Sequence, residues 1–282
     1  MKSKVDKIEI YIRKLNKLPT LSYTAEKIIN LTADELTHLD ELVNIIEKDP
    51  PIMSKVLGVA NLIYLGAYKP ITSVKDALLK IGFKTLRNIA LSISIFSVFK
   101  SSKEKEESYV RLFRHSIATG TISSFISERF LNESLEESFT AGVLHDIGFF
   151  VLHYAFYDYL KKIEKTLSEG SEASLKKAEE KILGTTHSKI GKWLAEIWGL
   201  PEIICEVILY HNDIPEKSEK YSETIALVQL SNFIAHQLGY YPLEVKTEPI
   251  LHKESIYKIL SLPEVDEIIL EVKEIIKEVE NL

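Results

Sequence analysis

The chain has 282 residues, 45% of them hydrophobic, and its 35 basic and 41 acidic side chains give a formal net charge of −6. This length allows one large domain or two small ones, and the acidic balance argues against a general nucleic-acid binder, so no direct DNA binding is expected. No apolar run reaches the roughly 18 residues of a membrane span, and the amphipathic N-terminus does not have the pattern of a secretory signal. The single cysteine, Cys205, excludes an internal disulfide, and we expect a cytoplasmic protein in which Cys205 is an inert core thiol.

The first third of the sequence is predicted to be helical, because apolar residues recur at helical spacing between clear stop signals. The predicted helices cover residues 4–15, 23–32, 39–47, 52–64, 74–81 and 86–99. Pro50 fits a helix start that Asp49 can cap, and Gly82 fits a helix end. Asn61 follows a small alanine, and its amide is expected to hydrogen-bond a neighbouring helix.

A charged segment without large apolar residues marks the best internal boundary and is predicted to be a loop, residues 100–108. The helices predicted after it cover residues 109–130, 135–160, 171–183, 186–198, 201–211 and 223–238. We expect a break near Gly148 and a helix N-cap at Thr185 or Thr186. No segment combines strand alternation with hairpin turn residues, so a sheet is not expected. A broad apolar stripe in residues 262–282 favours docking on the chain's own body, while contact with a second copy or another partner stays open.

The residues best suited to chemistry are histidines and one aspartate on separate predicted helices. Imidazole nitrogen and carboxylate oxygen together suit a divalent transition metal, and helices that each turn one ligand inward can build a metal site in an all-α core. Adjacent helical side chains point about 100° apart, so His145 and Asp146 could hold one ion from two sides. The candidate metal ligands are His115, His145, Asp146, His187, His211 and Asn232.

Short segments around these candidates occur in a characteristic order. They are Asp49-Pro50-Pro51-Ile52, Ala60-Asn61, Ile71-Thr72-Ser73-Val74 with Ala77, Ile81-Gly82, Arg114-His115-Ser116, Ala141 to Gly148 with the centre Leu144-His145-Asp146-Ile147-Gly148, His187 with Gly191, Trp198-Gly199-Leu200-Pro201, and Tyr210-His211. This order resembles the HDOD proteins, the HD-related output domains of bacterial signalling, from about Leu18 to His211. The resemblance identifies a family rather than one reaction.

The resemblance implies His115, His145 and Asp146 as metal ligands, with Asn232 where the wider HD superfamily has a second aspartate. His187 and His211 resemble the extra histidines that give the HD-GYP phosphodiesterases a second metal. Those enzymes have a further histidine and a lysine where this chain has Asn212 and Phe149. The implied ion is manganese, iron, zinc or magnesium. The remaining histidines are expected at the surface or in packing, and they are His38, His153, His236 and His252.

The fold class predicted from these observations is all-α, with a helical N-terminal lobe packed on an HD-like helical bundle. The expected divisions are an N-terminal lobe at 1–105, an HD-like lobe at 106–245 and a C-terminal helical extension at 246–282. We expect a signalling output module that acts through contacts with a partner protein, without catalytic residues of its own, and whose HD-type metal or nucleotide site is vestigial. The alternative is a metal-dependent phosphohydrolase acting on a nucleotide or cyclic nucleotide. A homodimer through the C-terminal helix is a further expectation.

Overall fold

The computed structural model describes residues 21–31, 35–64, 70–99, 105–131, 137–172, 174–213, 220–260, 262 and 265–281. All regular secondary structure among these residues is helical, so the all-α prediction is confirmed. The helices of the N-terminal part are α1 (Tyr23–Asn30), α2 (Glu35–Glu47), α3 (Pro50–Ile63) and α4 (Val74–Ser97). The buried side chains of the whole described chain form one continuous core. The helix predicted at residues 4–15 lies outside the described residues.

The remaining helices carry or support the candidate site. They are α5 (Glu106–Phe130), α6 (Ser138–Leu144), α7 (Ile147–Ala155), α8 (Tyr157–Ser168), α9 (Leu175–Leu183), α10 (His187–Ile197), α11 (Glu202–Tyr210), α12 (Ser222–Gln237), α13 (Lys253–Leu260) and α14 (Val265–Ile276), followed by a 3-10 helix at Lys277–Asn281.

Side-chain caps fix the helix ends of the N-terminal part as the sequence predicts. The Asp49 carboxylate accepts a hydrogen bond from the Ile52 amide at 3.3 Å and thereby caps α3. Asn61 accepts a hydrogen bond from the Ile71 amide at 2.7 Å and donates to the Ile71 carbonyl at 3.0 Å. It therefore ties the end of α3 to the residues before α4. At Gly82 the backbone leaves the helical region with a φ of 76°, so the helix end predicted there is present as a kink that divides α4 into two helical parts.

Two pairs of glycines allow the site-bearing helices to approach each other closely. A Cβ atom on Gly142 of α6 would lie 2.8 Å from the Gly120 Cα of α5, and one on Gly148 of α7 would lie 1.9 Å from the His187 carbonyl oxygen of α10. Any larger residue at these positions would separate the helix pairs. Gly148 is therefore a packing position inside α7, and the break predicted there lies earlier, at His145 and Asp146, between α6 and α7.

Other boundaries also differ from the sequence prediction. The helix predicted at 135–160 is interrupted at Phe156, and its last part, α8, continues to Ser168. Helix α5 begins at Glu106, so the end of the predicted 100–108 loop is already helical, because Glu106 and Glu107 are acidic residues that favour a first helical turn. Residues 100–104 lie outside the described chain. Helix α13 was not expected, since its eight residues follow an irregular stretch with no capping signal. Cys205 is buried, and burial raises the pKa of its thiol to about 11, as expected of an inert core residue.

The C-terminal segment packs on the chain's own helices. The buried residues of its apolar stripe are Val265, Ile268, Val272, Ile276 and Val279. Polar contacts join it to α5, because Arg129 pairs with Glu271 at 3.3 Å and Arg114 donates to the Glu280 carbonyl. In the described part of the chain no single helix is both long and apolar enough to cross a membrane, and one helix pair passes that test jointly across a bend of 114°.

Candidate metal centre

The Asp146 carboxylate lies at the centre of four imidazole rings. Its Oδ2 atom lies 3.2 Å from the Nε2 atoms of both His115 and His145. Its Oδ1 atom lies 3.3 Å from the Nε2 atoms of both His187 and His211. These five residues, which come from α5, α10 and the ends of α6 and α11, therefore lie together in the structure.

Each imidazole is held from behind by a hydrogen bond at its other nitrogen. The Nδ1 atoms of three rings lie 2.7–2.9 Å from main-chain carbonyl oxygens, with the pairs His115–Tyr240, His145–Gly142 and His211–Ile208. The Nδ1 atom of His187 lies 2.7 Å from a carboxylate oxygen of Glu179. A ring whose Nδ1–H is held in this way can offer the lone pair of its Nε2 atom to a metal, and all four Nε2 atoms lie toward Asp146.

The donor atoms form two groups that share Asp146. One contains His115, His145 and Asp146, the other contains Asp146, His187 and His211, and the ligand atoms of each group lie within 4.8 Å of one another. Ligand bonds of about 2.0–2.2 Å would span such a group around one ion. The two carboxylate oxygens face different groups, so Asp146 is placed to bridge two ions. This donor set fits a divalent metal and leaves the identity of the metal open.

Asn232 lies on α12, beside the cluster. Together with Asp146 and His187 it lines a cavity of about 640 Å³. Its Oδ1 atom is buried and has no hydrogen-bond partner among the described residues. A buried amide oxygen normally has a partner, so this orphaned acceptor is an observation that fits a missing cation. The prediction that Asn232 is a ligand stays a prediction.

The charges of the cluster stabilise one another. Although burial alone would raise it, the neighbouring histidines hold the pKa of Asp146 well below its ordinary value. Burial lowers the pKa of His115. For His187 burial acts in the same direction, but the charges and hydrogen bonds of Glu179 and Asp146 outweigh it and raise the pKa to about 10. Without a metal, protons therefore partly neutralise Asp146 and Glu179.

The two substitutions that separate this chain from the HD-GYP pattern have visible contacts. The Phe149 ring stacks on His187 with centroids 4.1 Å apart and thus buries one side of that imidazole. The Asn212 side-chain amide lies 2.7 Å from the His211 Nε2 and 3.3 Å from the His187 Nε2. An amide turned by a half rotation would present oxygen instead of nitrogen at the same place. Asn212 therefore faces the same point as the two histidines.

Three residues near the cluster were not recognised from the sequence. Glu179 follows no visible motif, and its helix is polar on one side, so an ordinary solvated carboxylate was the natural expectation. His236 was expected in packing, and it does pack against the His115 ring at 5.2 Å, but it also lines the cavity. Its spacing from Asn232, one helical turn later, is the signal that could have revealed it. Tyr240 contributes through its main-chain carbonyl, which no side-chain pattern encodes.

The HDOD domain family model matches residues 18–214. The chain belongs to the HDOD domain family. This match covers five of the six predicted ligands, while Asn232 and the other cavity residues of α12 lie beyond it. An uncharacterized protein of Treponema pallidum (strain Nichols) is 23% identical to this HDOD protein over 238 residues, which is 82% of the chain and 45% of that protein. The chain thus spans less than half the length of this relative.

Solved structures share the fold of this HDOD protein. An HDOD domain protein of unknown function from Geobacter sulfurreducens superimposes with a TM-score of 0.75 at 22% identity over 98% of both chains. A provisionally named signal transduction protein from Marinobacter aquaeolei VT8 gives 0.70 at 21% identity over 100% of this chain and 61% of that one. A provisionally named metal-dependent phosphohydrolase from Shewanella amazonensis SB2B gives 0.64 at 16% identity over 99% of both. At these identities the likeness establishes the fold.

Proposed function

We propose that this HDOD protein is a signalling module that binds divalent metal at the Asp146 cluster and, through the metal, a phosphate-bearing ligand in the adjacent cavity. The observation that carries the proposal is the arrangement of four Nε2 atoms around one buried carboxylate at 3.2–3.3 Å. Each ring is held at its Nδ1 atom, so the Nε2 atom is the one available as a metal ligand. A divalent cation bound by these atoms would account for all four orientations.

The class of ligand is inferred from the charge of the metal-loaded cluster and from the volume of the cavity beside it. The cluster offers four neutral imidazoles and one carboxylate, so two divalent ions there would carry an excess of positive charge that attracts an anion. The cavity of about 640 Å³ beside it lies within the roughly 300–1,000 Å³ range of small-molecule sites. Its lining includes three lysines, Lys176, Lys189 and Lys246, and six acidic residues, so the bound metal would supply most of the attraction for a phosphate. A nucleotide combines a phosphate that would bind the metal with a body of the size of the cavity.

The site favours binding over catalysis. Phosphoester hydrolysis needs a group that stabilises or protonates the leaving oxygen, and Phe149 stands where the HD-GYP enzymes have a lysine. Asn232 supplies no charge where the HD superfamily has an aspartate. In our proposal, ligand occupancy is therefore reported to a partner signalling protein by surface contacts, and no turnover is required.

A metal-dependent phosphohydrolase is the second candidate, and the bridging geometry of Asp146 is the observation that favours it. When bound, a pair of divalent ions would supply an activated water and a clamp for a phosphoryl group. In this chain Asp146 would hold both ions, and His115, His145, His187 and His211 would fix their positions. Phe149 would shield one face of His187 from water.

Metal-loaded protein distinguishes the two candidates. We expect binding of a nucleotide or a cyclic dinucleotide by calorimetry only when manganese or iron is present, without measurable hydrolysis. His187→Ala should lose this binding, whereas the matched variant His252→Ala, which changes a histidine outside the cluster, should retain it. Turnover near 1 s⁻¹, within the ordinary range of enzymes, that disappears in His145→Ala would replace the signalling proposal with the phosphohydrolase. Absence of metal-dependent binding and of turnover would contradict both.

A further inference from the structure

A second cleft, of about 330 Å³, lies between the N-terminal helices and the helices that carry the metal cluster. None of the six predicted metal ligands lines it, so it is separate from the site described above. Its apolar walls come from α1, α4, α6, α11 and the segment between α10 and α11, and they comprise Ile29, Phe83, Leu91, Leu144, Leu200, Pro201 and Ile204. The polar side chains of the lining come from α4, which contributes Lys84, Arg87 and Asn88, and from the start of α6, which contributes Glu137 and Thr140.

Arg87 of α4 supplies a cation to this cleft without a carboxylate partner. Its Nε atom is buried and has no hydrogen-bond partner, and its NH2 atom reaches the Ile29 carbonyl at a long 3.5 Å. Glu137 lines the same cleft but forms no ion pair with Arg87 among the described residues. Burial lowers the pKa of the guanidinium, and no carboxylate raises it. The half-buried guanidinium therefore has one hydrogen bond, to a main-chain carbonyl, and no ion pair among the described residues.

Thr140 of α6 faces the same cleft and is 5% exposed. Its Oγ1 atom is buried without a hydrogen-bond partner among the described residues. Because Thr hydroxyls in helices commonly donate to the carbonyl one turn earlier, a buried hydroxyl with no such bond is unusual. Two independent polar groups on opposite walls, Arg87 and Thr140, are thus left unsatisfied within one apolar cleft.

We propose that this cleft binds a small organic molecule that carries an oxyanion, either a carboxylate or a phosphate, on an apolar body. Arg87 would bind the oxyanion through its planar fork of N–H donors, and the Thr140 hydroxyl would donate to an oxygen of the same molecule. The apolar walls would cover the rest. The volume corresponds to the lower end of ligand sites, about 300 Å³, which suits a molecule of the size of one substituted ring.

Such a ligand would join the two parts of the chain next to the metal cluster. Arg87 belongs to α4, whereas Thr140 and Leu144 belong to α6, which leads directly into His145. Occupancy would therefore fix α4 relative to the helix that ends at the cluster. The cleft is placed to be an input site for the signalling module, and its ligand binding does not depend on whether the cluster holds metal.

The test uses calorimetric titration of the full chain with benzoate, phenyl phosphate and neutral benzamide, in the presence and in the absence of EDTA. We expect benzoate or phenyl phosphate to bind, benzamide to bind at least about tenfold more weakly, and EDTA to have no effect. Arg87→Met should remove the preference for the anion. Arg129→Met, which removes an exposed guanidinium outside the cleft, should retain it.

Thr140→Val provides a variant whose folding is not at risk. Because the Thr140 hydroxyl has no partner, its removal should leave the Tm unchanged or raise it, and should weaken anion binding severalfold. The proposal is overturned if neither anion binds, if benzamide binds as well as benzoate, or if Arg87→Met binds the anions as the unchanged chain does. It is also overturned if EDTA abolishes binding, since the anion would then sit on the metal cluster.

Discussion

The two halves of the cluster differ in how they are supported and in what they face. His115 and His145 are held by main-chain carbonyls of Tyr240 and Gly142, and neither ring lines the cavity. His187, in contrast, is held by the buried carboxylate of Glu179 and does line it. We call His115 and His145 the enclosed half and His187 and His211 the open half, because His187 alone of the four rings lines the cavity and is held by a carboxylate. His211 is held by the Ile208 carbonyl, like the rings of the enclosed half.

We infer from this difference that the enclosed half retains its ion and that the open half exposes its ion to an external ligand. Main-chain carbonyls fix an imidazole without adding charge, which suits a permanently coordinated ion. A carboxylate that accepts a hydrogen bond from an imidazole makes that imidazole a stronger metal ligand. This gain compensates for the more open position of an ion that also binds an external ligand. We therefore expect the two halves to respond differently to substitution, while Asp146, which contacts both, should affect them together.

The largest expected effect is that of Asp146→Asn. This substitution removes the one carboxylate in contact with all four Nε2 atoms, and a unit charge at about 4 Å contributes about 4 kcal/mol at an effective dielectric constant near 20. Metal affinity at both halves should fall by roughly a thousandfold, as measured by calorimetry with manganese or zinc. Asp158→Asn, a change of an exposed carboxylate on α8 that does not line the cavity, is the matched control. Loss of metal affinity at one half alone would show that Asp146 does not serve as a ligand in both halves.

Single histidine substitutions should separate the halves. His145→Ala removes a ligand of the enclosed half and His187→Ala one of the open half, so each should lose one ion and retain the other. Elemental analysis of the two variants after incubation with manganese measures this directly. Phosphate-ligand binding should be lost more completely in His187→Ala, because that half faces the cavity. Loss of all metal in both variants would contradict two separable halves.

A smaller effect is expected from Glu179→Gln, which keeps the shape of the support behind His187 and removes its charge. Groups that support a metal-bound imidazole typically contribute about 10- to 100-fold to metal affinity, so the open half should weaken by that amount. The enclosed half should not change. The neighbouring exposed carboxylate offers the control Glu180→Gln. Equal weakening of both halves would mean that Glu179 acts through general stability, which a parallel Tm measurement detects.

The smallest expected effect is an increase in metal affinity. Asn232→Asp keeps the side-chain shape and adds a negative charge beside a cluster that already holds Asp146. Two carboxylates repel without metal and share a cation with it, so affinity should rise at least about tenfold, or about 1.4 kcal/mol. Titration of both forms with manganese or zinc, in protein shown to be folded by circular dichroism, measures the gain. Identical affinities would place Asn232 outside the metal site.

Much of the fold could be predicted from local patterns. The Asp49 cap, the Asn61 contact and the bend at Gly82 depend on short-range chemistry, which a sequence displays. The break at His145 and Asp146 could not be placed, because Gly148 reads as a local helix breaker, whereas it serves the close approach of α7 to His187. Only the partner helix, which is distant in sequence, reveals that role.

The residues of the site also include some that the sequence could predict and some that it could not. The ligand candidates stand out because histidine and aspartate have distinctive chemistry and lie in a recognisable order. Glu179 and the Tyr240 carbonyl could not be found, since a carboxylate in a polar helix is common and a main-chain group has no residue identity. The unsatisfied Arg87 and Thr140 were equally hidden, because missing partners become visible only once neighbours in space are known.

The central claim is that the cluster is a divalent metal centre of two halves joined by Asp146. Elemental analysis of the purified full chain, before and after incubation with manganese, iron or zinc and removal of unbound ion, tests it most directly. We predict about two divalent ions per chain, as in two-metal sites, falling to none in Asp146→Asn. A folded chain that retains no ion under any of these conditions would contradict the claim and leave the four histidines as a hydrogen-bonded core.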